Sequence, residues 1–293
     1  IDMWQSIKVW GLRKFYRHIS ASGWKDHLET PAWNALEIPG PAGPIHGRMF
    51  SDHSRDDRPL IVYLHGGGWV IGDLDTHTPF CQALHRRSGC NVIALDYRLA
   101  PEHPFPAGLD DCLAATRWIA EHVGDFGGSD HRIVVAGDSA GGNLSSVVCL
   151  QADPPLREKI AGEIVLYPVT DHYSAGFPSY VERAKGQTLT ANLMRWFWDT
   201  YLAGARPVGP DEARAYPARS PDLATLPPTY LVTAEFDPLR DEGMAFSARL
   251  REAGVDLQYR HFDNAAHGFA CSEGPNPDYE TLMDDLPGWL EKL

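Results

Sequence analysis

The chain has 293 residues, 43% of them hydrophobic and 22% charged, with a formal net charge of −13 at pH 7. That length admits one large α/β domain or two small ones, with apolar content enough for a sizeable core. The acidic balance argues against nucleic acid and against membrane surfaces as partners, since both attract basic patches.

No apolar run is long enough to cross a bilayer. The first residues alternate aromatic and basic side chains rather than forming a signal peptide's apolar block. The chain opens on Ile1 and not on Met, which leaves room for residues upstream. Cys81, Cys90, Cys112, Cys149 and Cys271 are odd in number and form no C-x-x-C pair, so they read as small buried hydrophobes. A reducing, cytoplasmic setting is the expectation.

In chain order, Trp4, Ile7, Trp10, Leu12, Phe15 and Ile19 recur at helical spacing. Pro39-Gly40-Pro41-Ala42-Gly43-Pro44 reads as a linker without regular structure, followed by a short strand over 45–50. Leu60 to Leu64 is a buried strand. It runs into His65-Gly66-Gly67-Gly68-Trp69, where three glycines bare backbone N–H groups for close approach to a ligand. A helix over 80–88, a strand over 91–96 and a loop stiffened by Pro101, Pro104 and Pro106 follow. His65 and His103 read as structural. An amphipathic helix covers 107–123.

Ile133 to Ala136 is the next buried strand. Gly137-Asp138-Ser139-Ala140-Gly141 after it matches G-x-S-x-G, a strand-to-helix turn that exposes a nucleophilic serine. Such a turn crowds the positions two before and two after the serine, so glycine is expected at both. It holds the serine in a strained conformation and points a helix N-terminus at the reacting atoms. Beside this serine, the glycine run at 66–68 reads as the second half of an oxyanion hole.

Another strand covers 164–167, completing strand–helix–strand intervals typical of parallel β-α-β units. Residues 172–215 hold no strand but carry Leu193, Met194, Trp196, Phe197, Trp198 and Tyr201, part of which is expected to roof a pocket. A strand over 229–234, a helix over 238–253, a strand over 255–262 and a helix from 279 close the chain.

A serine hydroxyl needs a base, and the base an orienting acid. His267 stands just past the last strand, downstream of the serine. Asp237 follows the strand ending at Ala234, although an Asp before Pro238 also reads as a helix cap. Asp241 and Asp263 remain rival acids. No pattern of metal-ligand spacing occurs, so neither metal nor cofactor is expected.

Five stretches, in order, resemble the hormonesensitive-lipase-like carboxylesterases of the α/β-hydrolase superfamily. They are His65–Trp69, the Tyr97-Arg98-Leu99-Ala100-Pro101-Glu102-His103 loop, Gly137–Gly142, Asp237-Pro238-Leu239-Arg240-Asp241-Glu242-Gly243 and His267-Gly268-Phe269. The resemblance implies an α/β-hydrolase fold, a mostly parallel sheet flanked by helices with a helical cap. Residues 1–45 and 172–215 would form that cap, and 46–171 and 216–293 the core. It implies Ser139 as nucleophile, His267 as base and Asp237 as acid, with the N–H groups of Gly67, Gly68 and Ala140 around the oxyanion. Trp69, Trp196, Phe197 and Phe269 are the expected pocket residues. The implied activity is hydrolysis of short- to medium-chain esters, and the implied partners are a small-molecule ester and a second copy in a homodimer. Amide, lactone or acetyl-group hydrolysis by the same residues, and a non-catalytic receptor on the same scaffold, are the alternatives.

Overall fold

The computed structural model describes residues 3–25, 32–52, 58–127, 132–185, 188–272 and 274–293. Eight strands make one sheet: β1 (Asn34–Gly40), β2 (Gly43–Phe50), β3 (Leu60–Leu64), β4 (Val92–Asp96), β5 (Ile133–Asp138), β6 (Ile160–Leu166), β7 (Thr229–Phe236) and β8 (Leu257–Ala266). Their order is β1-β2-β4-β3-β5-β6-β7-β8. From β4 to β8 every neighbouring pair is parallel, while β1 and β2 are antiparallel additions at one end. The helices are α1 (Met3–Trp24), α2 (Leu74–Ser88), α3 (Ala107–Glu121), α4 (Ala140–Gln151), α5 (Pro154–Lys159), α6 (Ser179–Glu182), α7 (Ala191–Leu202), α8 (Glu212–Ala215), α9 (Arg240–Glu252) and α10 (Pro277–Leu290).

The central strands read as continuous apolar runs because both faces of the sheet are covered. Along β3, Leu60, Val62 and Leu64 join one apolar cluster with α3, α4, α7 and α9, while Ile61 and Tyr63 join another with α2 and α10. The side-chain alternation of a strand thus divides one core into two layers.

One expectation changes, and the N-terminal helix packs in a way its spacing did not specify. The proline-rich stretch at 39–44 is a β-hairpin and not a linker: Pro39 pairs with Pro44 and Gly40 with Gly43. The prolines are tolerated because β1 is the sheet edge and β2 pairs with β4 only from His46 onward, so no central ladder bond is lost. The sheet therefore starts at Asn34, ahead of residue 46. The N-terminal helix forms, but its aromatic stripe does not face the core: Trp10 is 60% exposed and Phe15 61%, with Ile7 and Ile19 also exposed. Trp4 lies outside the described side chains. Val9, Ser20 and Trp24 are its buried residues, and polar contacts hold the helix down. Arg13 donates to the Val70 carbonyl (2.9 Å) and pairs with Glu102 (2.8 Å), and the Trp24 indole donates to the Cys271 carbonyl (2.8 Å).

Candidate active site

Ser139 stands between β5 and α4 with φ 53° and ψ −117°. A non-glycine residue held there costs of order 1–3 kcal/mol, which the surroundings must supply. They do so through its peptide groups. Ser139 N–H donates to the Leu166 carbonyl (2.8 Å), and its own carbonyl accepts from Asn143 (3.0 Å) and Val169 (3.2 Å). The flanking glycines are sterically required. A Cβ on Gly141 would lie 1.9 Å from the Leu64 carbonyl oxygen, and one on Gly137 would lie 2.5 Å from the Gly141 backbone.

The parallel register of β7 and β8 pairs Phe236 with Ala266. The next residue on each strand is Asp237 and His267, so the ladder itself delivers the two side chains to one place. His267 Nδ1 lies 2.7 Å from Asp237 Oδ2, and His267 Nε2 lies 2.9 Å from Ser139 Oγ. Asp237 is 1% exposed. Its second oxygen accepts the Leu239 N–H (2.8 Å) in the turn ahead of α9, whose N-cap is Leu239, so Asp237 is not the helix cap that its place before Pro238 suggested. With Asp237 as a carboxylate acceptor, Nδ1 carries the hydrogen and the Nε2 lone pair faces the serine hydroxyl. Thr188 Oγ1 donates to the His267 carbonyl (2.5 Å), and the Tyr167 ring packs edge-on against the imidazole at 5.0 Å. The rival acids lie elsewhere. Asp263 has a side chain 87% exposed, 3.6 Å from His261, and Asp241 pairs with Arg240 (2.8 Å) and accepts from Ser179 N–H (2.8 Å).

Gly67 and Gly68 have φ values of 116° and 58°. Among the described residues no acceptor takes the N–H of either one, while the Gly67 carbonyl closes the turn by accepting from Val70 (3.1 Å) and Ile71 (2.9 Å). Ala140 opens α4, where the first N–H groups have no intrahelical partner. His65 is structural, as expected: it is buried, stacks on Tyr97 at 4.4 Å, and its Nδ1 lies 2.7 Å from the Gly66 carbonyl. Burial and the nearby His77 push its imidazole down to about 4.

Ser139, His267, Gly67 and Gly68 share a cavity of about 300 Å³. Its walls are apolar: Leu12, Phe15, Tyr16 and Ile19 of α1, with Leu193, Met194 and Phe197 of α7. Of the expected pocket residues, Phe197 lines it and the other three do not. Trp69 is buried against Tyr201 (4.3 Å), Phe269 against Phe262 (5.0 Å), and Trp196 carries the Lys8 ammonium over its ring at 4.1 Å. Large aromatics near a site are as often its supports as its lining. The α1 residues were legible as one amphipathic helix, but not which edge of it closes the cavity. A larger cleft of about 610 Å³, beside His172, Tyr173 and Arg219, holds neither the serine nor the histidine.

A parallel sheet with a strained serine at the end of a central strand, faced by a histidine and a carboxylate from later strand ends, is the arrangement of an α/β hydrolase. The sequence profile of Abhydrolase_3, an alpha/beta hydrolase fold family, matches residues 61–271. The chain belongs to this family, the hormone-sensitive-lipase-like α/β hydrolases. It is 42% identical over 239 residues to the carboxylic ester hydrolase LipN of Mycobacterium tuberculosis, a match covering 80% of this chain and 63% of that protein. It is 39% identical to the esterase LipI of the same organism, covering 83% of this chain and 76% of that one. The solved structure of EstE1, a thermophilic carboxylesterase cloned from a metagenomic library, superposes with a TM-score of 0.89 at 33% identity, covering 97% of both chains.

Proposed function

We propose that the protein is a serine carboxylesterase acting on short- to medium-chain esters, with Ser139, His267 and Asp237 as its triad. Behind this stands one observation, the continuous chain of contacts from Asp237 through both nitrogens of His267 to Ser139 Oγ, opening on an apolar cavity. Relatives named carboxylic ester hydrolases and esterases support the same class.

Chemically, Ser139 Oγ attacks the ester carbonyl carbon while His267 Nε2 takes its proton. The carbonyl oxygen becomes the oxyanion, held by the N–H groups of Gly67, Gly68 and Ala140, each such donor typically worth roughly 3 kcal/mol. His267 then gives the proton to the departing alkoxide, leaving an acyl-serine. Water, deprotonated by the same nitrogen, attacks that acyl group, and His267 returns the proton to Ser139 Oγ as the bond to it breaks and the acid leaves. Asp237 keeps the imidazole in the required tautomer and stabilises the imidazolium that forms.

The α1 helix and the segment 172–215 act as the cap, since both contribute side chains to the cavity wall. A reducing cytoplasmic setting fits five buried cysteines with no disulfide among the described residues. A homodimer through β8, the last strand of the sheet, completes the proposal, checked by light scattering in solution. Ser139→Ala tests the main assignment. It should fold with an unchanged melting temperature and lose at least about 1,000-fold in kcat on p-nitrophenyl butyrate. Retained turnover would overturn it.

A further inference from the structure

Behind Ser139 lies a buried polar cluster that the triad does not use, contributed by β3, α2, the end of β5 and the turn after β8. Asp138 is 3% exposed. Its Oδ1 accepts the Gly66 N–H (2.8 Å) and the Tyr63 hydroxyl (2.7 Å), and His77 Nε2 stands 3.3 Å from that oxygen. The Tyr63 hydroxyl is also 3.4 Å from Cys271 Sγ.

The hydrogens of the cluster can be assigned by counting. Thr76 Oγ1 has one hydrogen and three contacts: it accepts from Asp73 N–H (2.9 Å), lies 2.8 Å from the Asp73 carbonyl, and lies 2.8 Å from His77 Nδ1. When the hydroxyl turns to Nδ1, the ring's hydrogen is on Nε2, on the side of Asp138. Burial raises the Asp138 carboxyl, but His77, Tyr63 and the Gly66 N–H outweigh it and hold the group below the ordinary carboxylate range. It is therefore a carboxylate, with the Gly66 N–H and the Tyr63 hydroxyl as donors and His77 Nε2 close by at 3.3 Å.

We propose that Asp138 and His77 are positioning residues for the oxyanion hole. Asp138, covalently next to the nucleophile, grips the Gly66 N–H, and His77 fixes the carboxylate that does the gripping. The two backbone segments that must cooperate in the transition state, the glycine turn and the serine elbow, are thereby tied at one oxygen atom. This rests on Gly67 and Gly68 being oxyanion donors. Small displacements of such donors are expensive: about 1 Å of misplacement can cost on the order of 100-fold in rate.

The test measures kcat, KM and the inhibition constant of a trifluoromethyl ketone, each normalised to titrated active sites. Asp138→Asn should lower kcat about 10- to 100-fold with KM within about threefold, and weaken the ketone by the same factor as kcat/KM. His77→Leu, which removes the donor, should match it. His77→Gln, which restores an N–H, should stay within about fivefold of the parent enzyme. Adding His77→Leu to Asp138→Asn should cost little more, since both act through one contact. A role in packing alone would rank leucine at or above glutamine and leave kcat per active site unchanged, and that result would overturn the proposal. If the parent enzyme binds the ketone no better than its unfluorinated counterpart, the hydrolase assignment itself has failed. If the parent binds it tightly and Asp138→Asn and His77→Leu do too, only the positioning role has. Should Asp138→Asn not fold, the two His77 variants decide the matter.

Discussion

The floor and the roof of the cavity are built on different physics. The floor is backbone: the turn at 65–72, the elbow at 137–143 and the strand ends at 237 and 267. There a methyl group on Gly141 would come within 1.9 Å of a carbonyl oxygen, and the register of β7 and β8 sets the Asp237–His267 contact. The roof is side chains on α1 and α7, with Phe15 largely exposed. A floor set by backbone geometry can serve one chemistry with little tolerance. A roof of apolar side chains can change size without disturbing that chemistry, so reaction and specificity should separate under mutation.

The sharpest attempt to break that separation is at Asp237. Asp237→Asn keeps the shape but offers an amide to Nδ1, which favours the wrong imidazole tautomer. A loss of about 10,000-fold in kcat is expected, equal across acyl chain lengths. Steady-state rates on butyrate and octanoate p-nitrophenyl esters check this. A loss confined to one chain length would mean that floor and roof are not independent.

A second prediction concerns the floor's support. Glu163 on β6 is 0% exposed, and its partners are the hydroxyls of Ser146 (2.5 Å) and Thr229 (3.4 Å). Burial raises its carboxyl from 4.5 to about 7, only partly offset by those hydroxyls. The sign follows from linkage. Between these values the folded state holds a proton that the unfolded state has released, so stability falls as pH rises from about 4.5 to 7 and is level above that. The difference amounts to about 3 kcal/mol. Glu163→Gln removes it, and denaturant melts should show the stability of the variant minus that of the parent rising from pH 4.5 to pH 8. Parallel pH dependence in parent and variant would refute this.

How far the sequence carried the fold and the site follows from the same contrast. The parallel strands were legible because burial on both faces leaves unbroken apolar runs, and the elbow because its glycines are sterically forced. The edge hairpin was not, since Pro39 and Pro44 are excluded from central strands but not from an edge. Asp237 could not be separated from Asp263 by position alone, because that choice depends on a strand register spanning 30 residues of sequence. The 193–201 stretch expected to roof a pocket does so in part, through Leu193, Met194 and Phe197, but of the four aromatics named singly for the pocket only Phe197 lines it. Trp69, Trp196 and Phe269 have the same apolar character and face elsewhere, and hydrophobicity does not encode direction.

The smallest effect expected is at Phe197, where roof meets floor. Its ring lies against the glycine turn so closely that a Cβ on Gly68 would be 2.3 Å from its Cγ. Under the proposed function the ring would limit how far an acyl chain extends beside Gly68. Phe197→Leu keeps an apolar lid and opens space for about one or two methylenes, each worth about 0.8 kcal/mol when buried. The ratio of kcat/KM for the octanoate ester over the butyrate ester should rise roughly 3- to 15-fold, carried mainly by the longer ester. The butyrate kcat should hold within about threefold, because none of the reacting groups has moved. An unchanged ratio would mean that α1, and not α7, measures the acyl chain. A collapse of kcat on both esters would mean that the ring also steadies the Gly68 N–H, and the roof would then be part of the floor.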